Sequence, residues 1–452
     1  MSATRIPSAR LLLGARARRP SLAGAAAAFR VERRKLSAQL AIRLALLAAA
    51  LGPVAFAGIL ELQSGSPGDS LYGVWVHSSG FAVSLVVLGF AGSWGLPLLV
   101  GILAGDLFSS EDRHGTWKLV LTRSSSRGEL FAGKVLAAGA GTLAVLGLAA
   151  ASSLIAGLVF VGPHHLVSLS GTILSPGRCL WLVLVSWLLC ALPALAFAAF
   201  ALLLSVATRN GIVGVLAPAI AALVMQLLLL GGSGVWAHTL LISWAFDAWH
   251  GLFTARPFLG PVLASSAVSL AWIAVCLAIA WRIVRRRDFA GPPVSRRDGW
   301  RTPVQVAAAA VAVVALLVAA GNWGPAGITA SRLKTSLIPA FERLTFLQQR
   351  ELGRTIVPGT KLDIVLPSCS HRGSAPRGPG DWVCTINVLI PSSSGSLPPQ
   401  PTPVTYDVSV ASDGCFKAES PPAFVGQQLM RDSSGDEVVN PLYTIYGCFN
   451  VL

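Results

Sequence analysis

Apolar positions in this chain form long unbroken blocks rather than the short periodic faces of a soluble protein. Seven stretches, at about 40–60, 80–104, 131–161, 180–206, 212–231, 261–281 and 304–321, are long enough, or nearly so, to cross a hydrocarbon core about 30 Å thick. In lipid the backbone must satisfy its own hydrogen bonds, so the pattern predicts helices even where valine is dense. The third stretch exceeds what a crossing needs and predicts tilt or projection beyond the bilayer. The seventh is short, rich in Ala and Val, and has no aromatic anchor.

Beyond 321 the period changes. Leu333, Leu337, Phe341, Leu344 and Leu352 recur at near-helical spacing over 331–353, with Ser331 placed as N-cap. Strand-like alternation follows from Lys361 to Leu366 and from Val383 to Ile390. Thr405 to Val410 leads through Ala411-Ser412-Asp413-Gly414 into Cys415 and Phe416, a hairpin signal, and 423–430 and 442–449 predict two further strands. The segment 391–403 reads as a Pro-, Ser- and Gly-rich loop. The predicted architecture is an all-α polytopic membrane protein of about seven transmembrane helices, followed by a small disulfide-bonded α+β extracytoplasmic domain.

Composition agrees. Of 452 residues 54% are hydrophobic and 12% charged, with a mean hydropathy of +0.66. That charged fraction is about half the roughly 25% of soluble domains, which excludes a disordered chain and a conventional soluble enzyme. A net charge of +15 would suggest nucleic acid in a soluble protein. Here the placement of charge matters more than its sum, and no nucleic-acid partner is expected.

Twenty-two Lys and Arg lie before the first span and in the connections 105–134, around Arg209 and 282–303, against only Arg178 and Arg256 in the alternate loops. The positive-inside rule therefore puts the N-terminus in the cytoplasm of a multi-pass plasma (inner) membrane protein. Seven crossings put the tail outside. The expected units are a basic arm and interfacial helix (1–37), a six-helix domain (38–285), a basic linker (286–303), a seventh span (304–321) and the external domain (322–452). Residues 1–29 are rich in Arg, Ala and Ser and hold no acid. They read as a basic arm, with an organellar transit peptide as the alternative.

Seven cysteines sort in the same way. Cys179, Cys190 and Cys276 lie in or beside spans as small apolar residues. Cys369, Cys384, Cys415 and Cys448 all fall in the tail and read as two disulfides. Three connectivities are possible; Cys369–Cys384 with Cys415–Cys448 is preferred because each closes a local loop.

In the outer loop 232–260, Leu241, Trp244, Ala245, Ala248, Trp249 and Leu252 fall at helical spacing. They predict a short interfacial helix with Trp rings at headgroup depth and Asp247 facing water. The loop histidines His77, His164, His165, His238 and His250 lack the spacing of a convincing metal site, and none is expected.

The connection between the second and third stretches carries the chemistry. A helix leaves the membrane and turns acidic at Asp106, Glu111 and Asp112. Gly115-Thr116 breaks it, a short amphipathic piece and a basic turn follow, and the chain re-enters past Arg127 at Lys134. This is a compact charged knob suited to docking into a groove on a soluble partner. Gly128 to Lys134 also matches G-x-x-x-x-G-K. A phosphate-binding loop needs Ser or Thr next, where Val135 stands, and a preceding strand. Nucleotide binding here is therefore not expected.

Glu111, Gly115-Thr116, the leucines that follow, Arg127 and Lys134 together resemble the membrane permease subunits of type-2 ABC transporters, exporter branch. Ser124 stands where that family often has Pro. The basic helix before the first span resembles the family's elbow helix, and the likeness extends over about 21–285. The resemblance implies a permease forming the substrate pathway. It would pair with a second permease, as homodimer or heterodimer, contact membrane lipid, and couple through 105–127 to a separate cytoplasmic ABC ATPase. ATP and Mg would bind that ATPase, with no cofactor and no catalytic residue in this chain. It also implies that Glu111 and the Gly115-Thr116 turn meet the ATPase, while Arg127 and Lys134 either join them or snorkel to phosphate headgroups. A secondary transporter is the alternative, disfavoured by the scarcity of ionisable groups in the spans. So is a membrane sensor using the tail, for which one span would suffice.

Overall fold

A computed structural model describes residues 21–63, 70–117, 126–230, 238–287, 327–357, 359–373, 376–390 and 400–451. The expected seventh span (304–321), residues 1–20 of the basic arm, most of the linker 286–303 and most of the loop 391–403 lie outside the described residues.

Among the described residues, six helices are long and apolar enough to cross a membrane, and each coincides with one of the first six predicted stretches. α1 (Leu22–Ala38) is the amphipathic helix before them, and α2 (Leu40–Leu62) is the first candidate span. The second is α3 (Gly80–Phe90) and α4 (Leu96–Ala104), joined by a π-helical turn at Ala91–Gly95. α5 (Ser109–His114) is the short helix of the charged knob. The third span is α6 (Arg127–Phe160), 34 residues long. The fourth is α7 (Pro176–Leu189) with α8 (Ala191–Thr208), the fifth α9 (Gly211–Leu230) and the sixth α10 (Gly260–Arg286).

Two starts show how local chemistry sets the packing. Ser126 caps α6 in a capping box: its hydroxyl accepts from the Glu129 N–H, and the Glu129 carboxylate accepts from the Ser126 N–H. Glu129 Oε1 also accepts from the N–H and Oγ–H of Ser21, the N-cap of α1, at 2.9 and 2.7 Å. One carboxylate thus sits at two positive helix ends and fixes α1 along α6. Between α4 and α9 the spacer is glycine. A Cβ on Gly105 would lie 2.3 Å from the backbone of Gly214, so the helices touch backbone to backbone.

At the opposite end from α5, the Trp-rich loop differs from its prediction. It forms two 3₁₀ turns, Ser243–Asp247 and His250–Phe253, rather than one surface helix. Trp244 and Trp249 are buried, at 1% and 2% exposure, and Asp247 is half-buried rather than facing water. The turns insert among the helices instead of lying on them. Phe246 stacks on Phe197 of α8 with centroids 6.2 Å apart and fills the space left by Gly92 in the π-helical turn.

The tail is α+β, with two disulfides. α11 (Ala330–Glu351) lies on a five-stranded antiparallel sheet of order β3-β4-β5-β6-β9. Its strands are β3 (Ile364–His371), β4 (Gly380–Ile390), β5 (Gln400–Val410), β6 (Cys415–Glu419) and β9 (Thr444–Cys448); β1 (Leu166–Val167) and β2 (Ile173–Leu174) are a small ribbon in the loop before α7. Leu333, Leu337, Phe341 and Leu344 of α11 pack on Trp382, Ile386, Tyr406, Val408, Phe416 and Ile445. The preferred disulfides form, Cys369–Cys384 and Cys415–Cys448, each between residues directly opposite in the sheet register.

Three local predictions are corrected. Thr329, not Ser331, caps α11, accepting from the Arg332 N–H. The first strand starts at Ile364, beyond Lys361, and passes a bulge with Leu366 at φ 43° before reaching Cys369. Segment 423–430 is a one-turn helix (Pro422–Val425) leading into the hairpin β7 (Leu429–Arg431)–β8 (Glu437–Val439), because Pro421 and Pro422 pre-set helical φ rather than a ladder.

The tail sits on the loops at the end opposite α5. The Arg343 guanidinium donates to the Ser170 carbonyl at 2.7 Å, and His250 Nδ1 lies 2.9 Å from Asp413 Oδ2. Cys415, Cys448 and Tyr446 join the packed interior of the helical region.

Candidate functional site: the charged knob

Past Ala104 the chain turns through 105–108 and begins α5. The N–H groups of Phe108 and Ser109, unsatisfied at a helix start, donate to Ser205 Oγ of α8 at 3.3 and 3.1 Å. Asp106 Oδ1 accepts from Ser109 Oγ at 2.8 Å, and its Oδ2 accepts from Arg113 at 2.8 Å. Gly115, at φ +62°, ends the helix in the left-handed conformation that glycine adopts without a steric cost.

Glu111 points inward. Its Oε1 accepts from Lys134 Nζ of α6 at 2.8 Å and from Lys35 Nζ of α1 at 2.9 Å. Lys134 Nζ also reaches Glu32 Oε1 of α1 at 3.2 Å and the Leu107 carbonyl at 2.7 Å. Lys35 closes the ring on Glu32 at 3.1 Å. Glu32, Glu111 and Lys134 are all buried. Two carboxylates and two ammoniums balance, and the Phe108 and Trp117 rings lie 5.3 and 5.9 Å from the Lys134 ammonium. Burial works against the Lys35 charge, but Glu111 and Glu32 outweigh it, so its pKa is raised.

A second set ties in the sixth span. Asp112 accepts from Trp117 Nε1 at 2.9 Å and from both terminal nitrogens of Arg287. Arg127 donates to the carbonyls of Arg285 and Arg287 at 2.9 and 2.8 Å, closing the C-terminal end of α10 where the helix dipole favours a cation.

The structure thus joins Glu111 directly to Lys134, and places Asp106, Asp112 and Arg127 in neighbouring contacts. Arg113, His114 and Gly115 are the exposed tip, with Thr116 half-buried beside it. Residues 118–125 lie outside the described residues. Lys134 does not snorkel: its ammonium is consumed by two carboxylates and a carbonyl, so no headgroup reaches it. The Gly128–Lys134 run is the first two turns of α6, not a phosphate-cradling loop.

Sequence reasoning missed Glu32, Lys35 and Arg287 as partners. One signal was available: Glu32 is an acid within the run Arg30-Val31-Glu32-Arg33-Arg34-Lys35, three residues from Lys35.

Residues 28–225 match the family described as ABC-2 family transporter protein, a span from the middle of α1 to within α9 that contains the whole knob apart from Arg287. No curated protein matches the chain.

Proposed function

We propose, from the match of residues 28–225 to the ABC-2 family transporter protein, that this chain is the transmembrane subunit of an ATP-driven exporter, coupled through its 105–127 knob to a separate ATPase. The observation that carries the coupling is the closed ring Glu32–Lys35–Glu111–Lys134. It makes α5 one body with α1 and α6, while Asp112–Arg287 and Arg127 add α10. A push on the exposed Arg113–His114–Gly115 tip is therefore delivered to several candidate spans at once. ATP-driven closure of an ATPase pair would bias the helices between two arrangements in this way. ATP and Mg belong to that partner, and this chain's part is mechanical.

The apolar flank of α2 and α9 supports pairing with a second permease or with lipid. Leu44, Leu51, Ile212, Leu216 and Ile220 are exposed there, beside a groove of about 720 Å³ whose polar end is Asp106 and Arg113. The tail touches the loops opposite α5, whereas α10 ends beside α5. That arrangement supports a seventh crossing between 287 and 327 and an extracytoplasmic tail. The 39 residues between them suffice, since about 20 span the core as a helix.

A photo-crosslinking residue placed at His114 tests the reading in native membranes. A protein carrying a Walker A motif should be captured there and not from the buried position Ala280. Equal capture from both positions, or none from His114, would count against it.

A further inference from the structure

At the opposite end of the bundle, one ionisable pair bridges the tail and the helical region. His250, in the second 3₁₀ turn, meets Asp413, in the turn between β5 and β6, at 2.9 Å. Both side chains are nearly buried, at 13% and 12% exposure. Trp249 packs its ring edge-on against the imidazole at 4.3 Å. Asp413 Oδ1 also accepts from the Cys415 N–H, which holds the carboxylate in place next to the Cys415–Cys448 disulfide. The Cys415 sulfur lies within 4.8 Å of the pair but is committed to that bond, so the imidazole and carboxylate are left to pair with each other.

We propose that His250 and Asp413 form a proton-tightened latch that seats the tail domain on the membrane region more firmly as pH falls. The proposal concerns docking between two parts of one chain and does not depend on the transport reading.

The charged groups acting on His250 are Asp413 from the tail and Asp247 from the preceding turn; those acting on Asp247 are His250 and Asp413. Tyr72 and Tyr446 belong to the same packed cluster. Burial opposes a charged imidazole, but the hydrogen bond and charge of Asp413, with the charge of Asp247, outweigh it, and the His250 pKa is raised. Burial, opposed by His250 and aided by Asp413, pushes the Asp247 carboxyl up to about 6.

The sign is the same for both groups. A histidine whose pKa is raised by docking stabilises the docked state below its free value, and that stability is lost as pH rises through the raised value. A carboxyl raised by docking disfavours the docked state above its raised value, a penalty that fades as pH falls through it. Each group takes up protons on docking, so lowering the pH from about 8 to about 6 tightens the latch.

Hydrogen exchange of the full chain, at about pH 6 and about pH 8 and corrected to a common intrinsic rate, reads the docking. The reporters are amides on the tail side of the contact, such as Cys415, which donates to Asp413 Oδ1. Their opening should be roughly tenfold more frequent at the higher pH, while amides of the sheet core around Ile386 stay unchanged. His250→Gln should bring that ratio close to one. Asp413→Asn keeps the turn's acceptor and should do the same, which decides the matter if His250→Gln fails to fold. Contact amides with equal protection at both pH values in the unaltered chain, or a ratio that survives both substitutions, would overturn the latch.

Discussion

Lys134 and Glu111 lie 2.8 Å apart with side-chain exposures of 1% and 5%, and they join the third candidate span to the short helix of the charged knob. Removing one partner of a buried pair strands the other charge at a cost of about 3–5 kcal/mol, whereas replacing both costs much less. Lys134→Ala should therefore lower the unfolding midpoint of the detergent-solubilised chain sharply. The pair Glu111→Gln with Lys134→Met leaves Glu32 balanced by Lys35 and should recover most of the loss. A Lys134→Ala chain as stable as the unaltered one would remove the ring from the account.

Arg127 tests the link to the sixth span. It closes the α10 carbonyls of Arg285 and Arg287, and hydrogen bonds to a charged group contribute about 1.5–3 kcal/mol. Arg127→Ala should raise amide exchange in the last turn of α10 with little change in α7, as measured by hydrogen exchange.

The backbone contact between α4 and α9 has no room for a methyl group. Gly105→Ala would set a Cβ 2.3 Å from Gly214, where nothing flexible can yield, while a Cβ on Gly147 would meet nothing within 4 Å. Overpacking costs about 1–3 kcal/mol. Gly105→Ala should destabilise by at least that much, whereas Gly147→Ala should be neutral or mildly stabilising, judged by thermal unfolding of the two variants side by side.

The disulfides differ in the loop each closes, 33 residues for Cys415–Cys448 and 15 for Cys369–Cys384. Chain entropy assigns them about 3.7 and about 3.0 kcal/mol respectively. Replacing both cysteines of the longer loop with Ser should open the tail of the full chain to protease more than replacing those of the shorter one. The reverse order would show that local packing, not loop closure, dominates.

The six described spans were legible because a membrane-crossing helix announces itself in consecutive residues. So was the preferred disulfide pairing, because each bond closes a local loop. The knob's position was legible too, but its wiring was not: Glu32, Lys35, Glu111 and Lys134 come from three helices, and only Glu32 and Lys35 share a helical spacing. Reading Glu111 as a surface contact followed from the usual habit of carboxylates; two ammoniums make its burial tolerable. Trp244 and Trp249 misled for a similar reason. A Trp-rich loop reads as interfacial, and only the space at Gly92 beneath Phe246 shows why it inserts. The hairpin after Pro422 was hidden by a prolyl segment whose apolar residues alternate as a strand's would.

The central claim is that the exposed tip of α5, not the buried ring behind it, meets an ATPase. Its most direct test is purification of the chain from its own membranes in gentle detergent, with and without Arg113→Glu and His114→Glu together. A stoichiometric partner with a Walker A motif should accompany the unaltered chain and be lost from the double variant, while the thermal midpoints of the two chains agree. Retention of that partner by the tip variant, or its absence from the intact chain, would contradict the account.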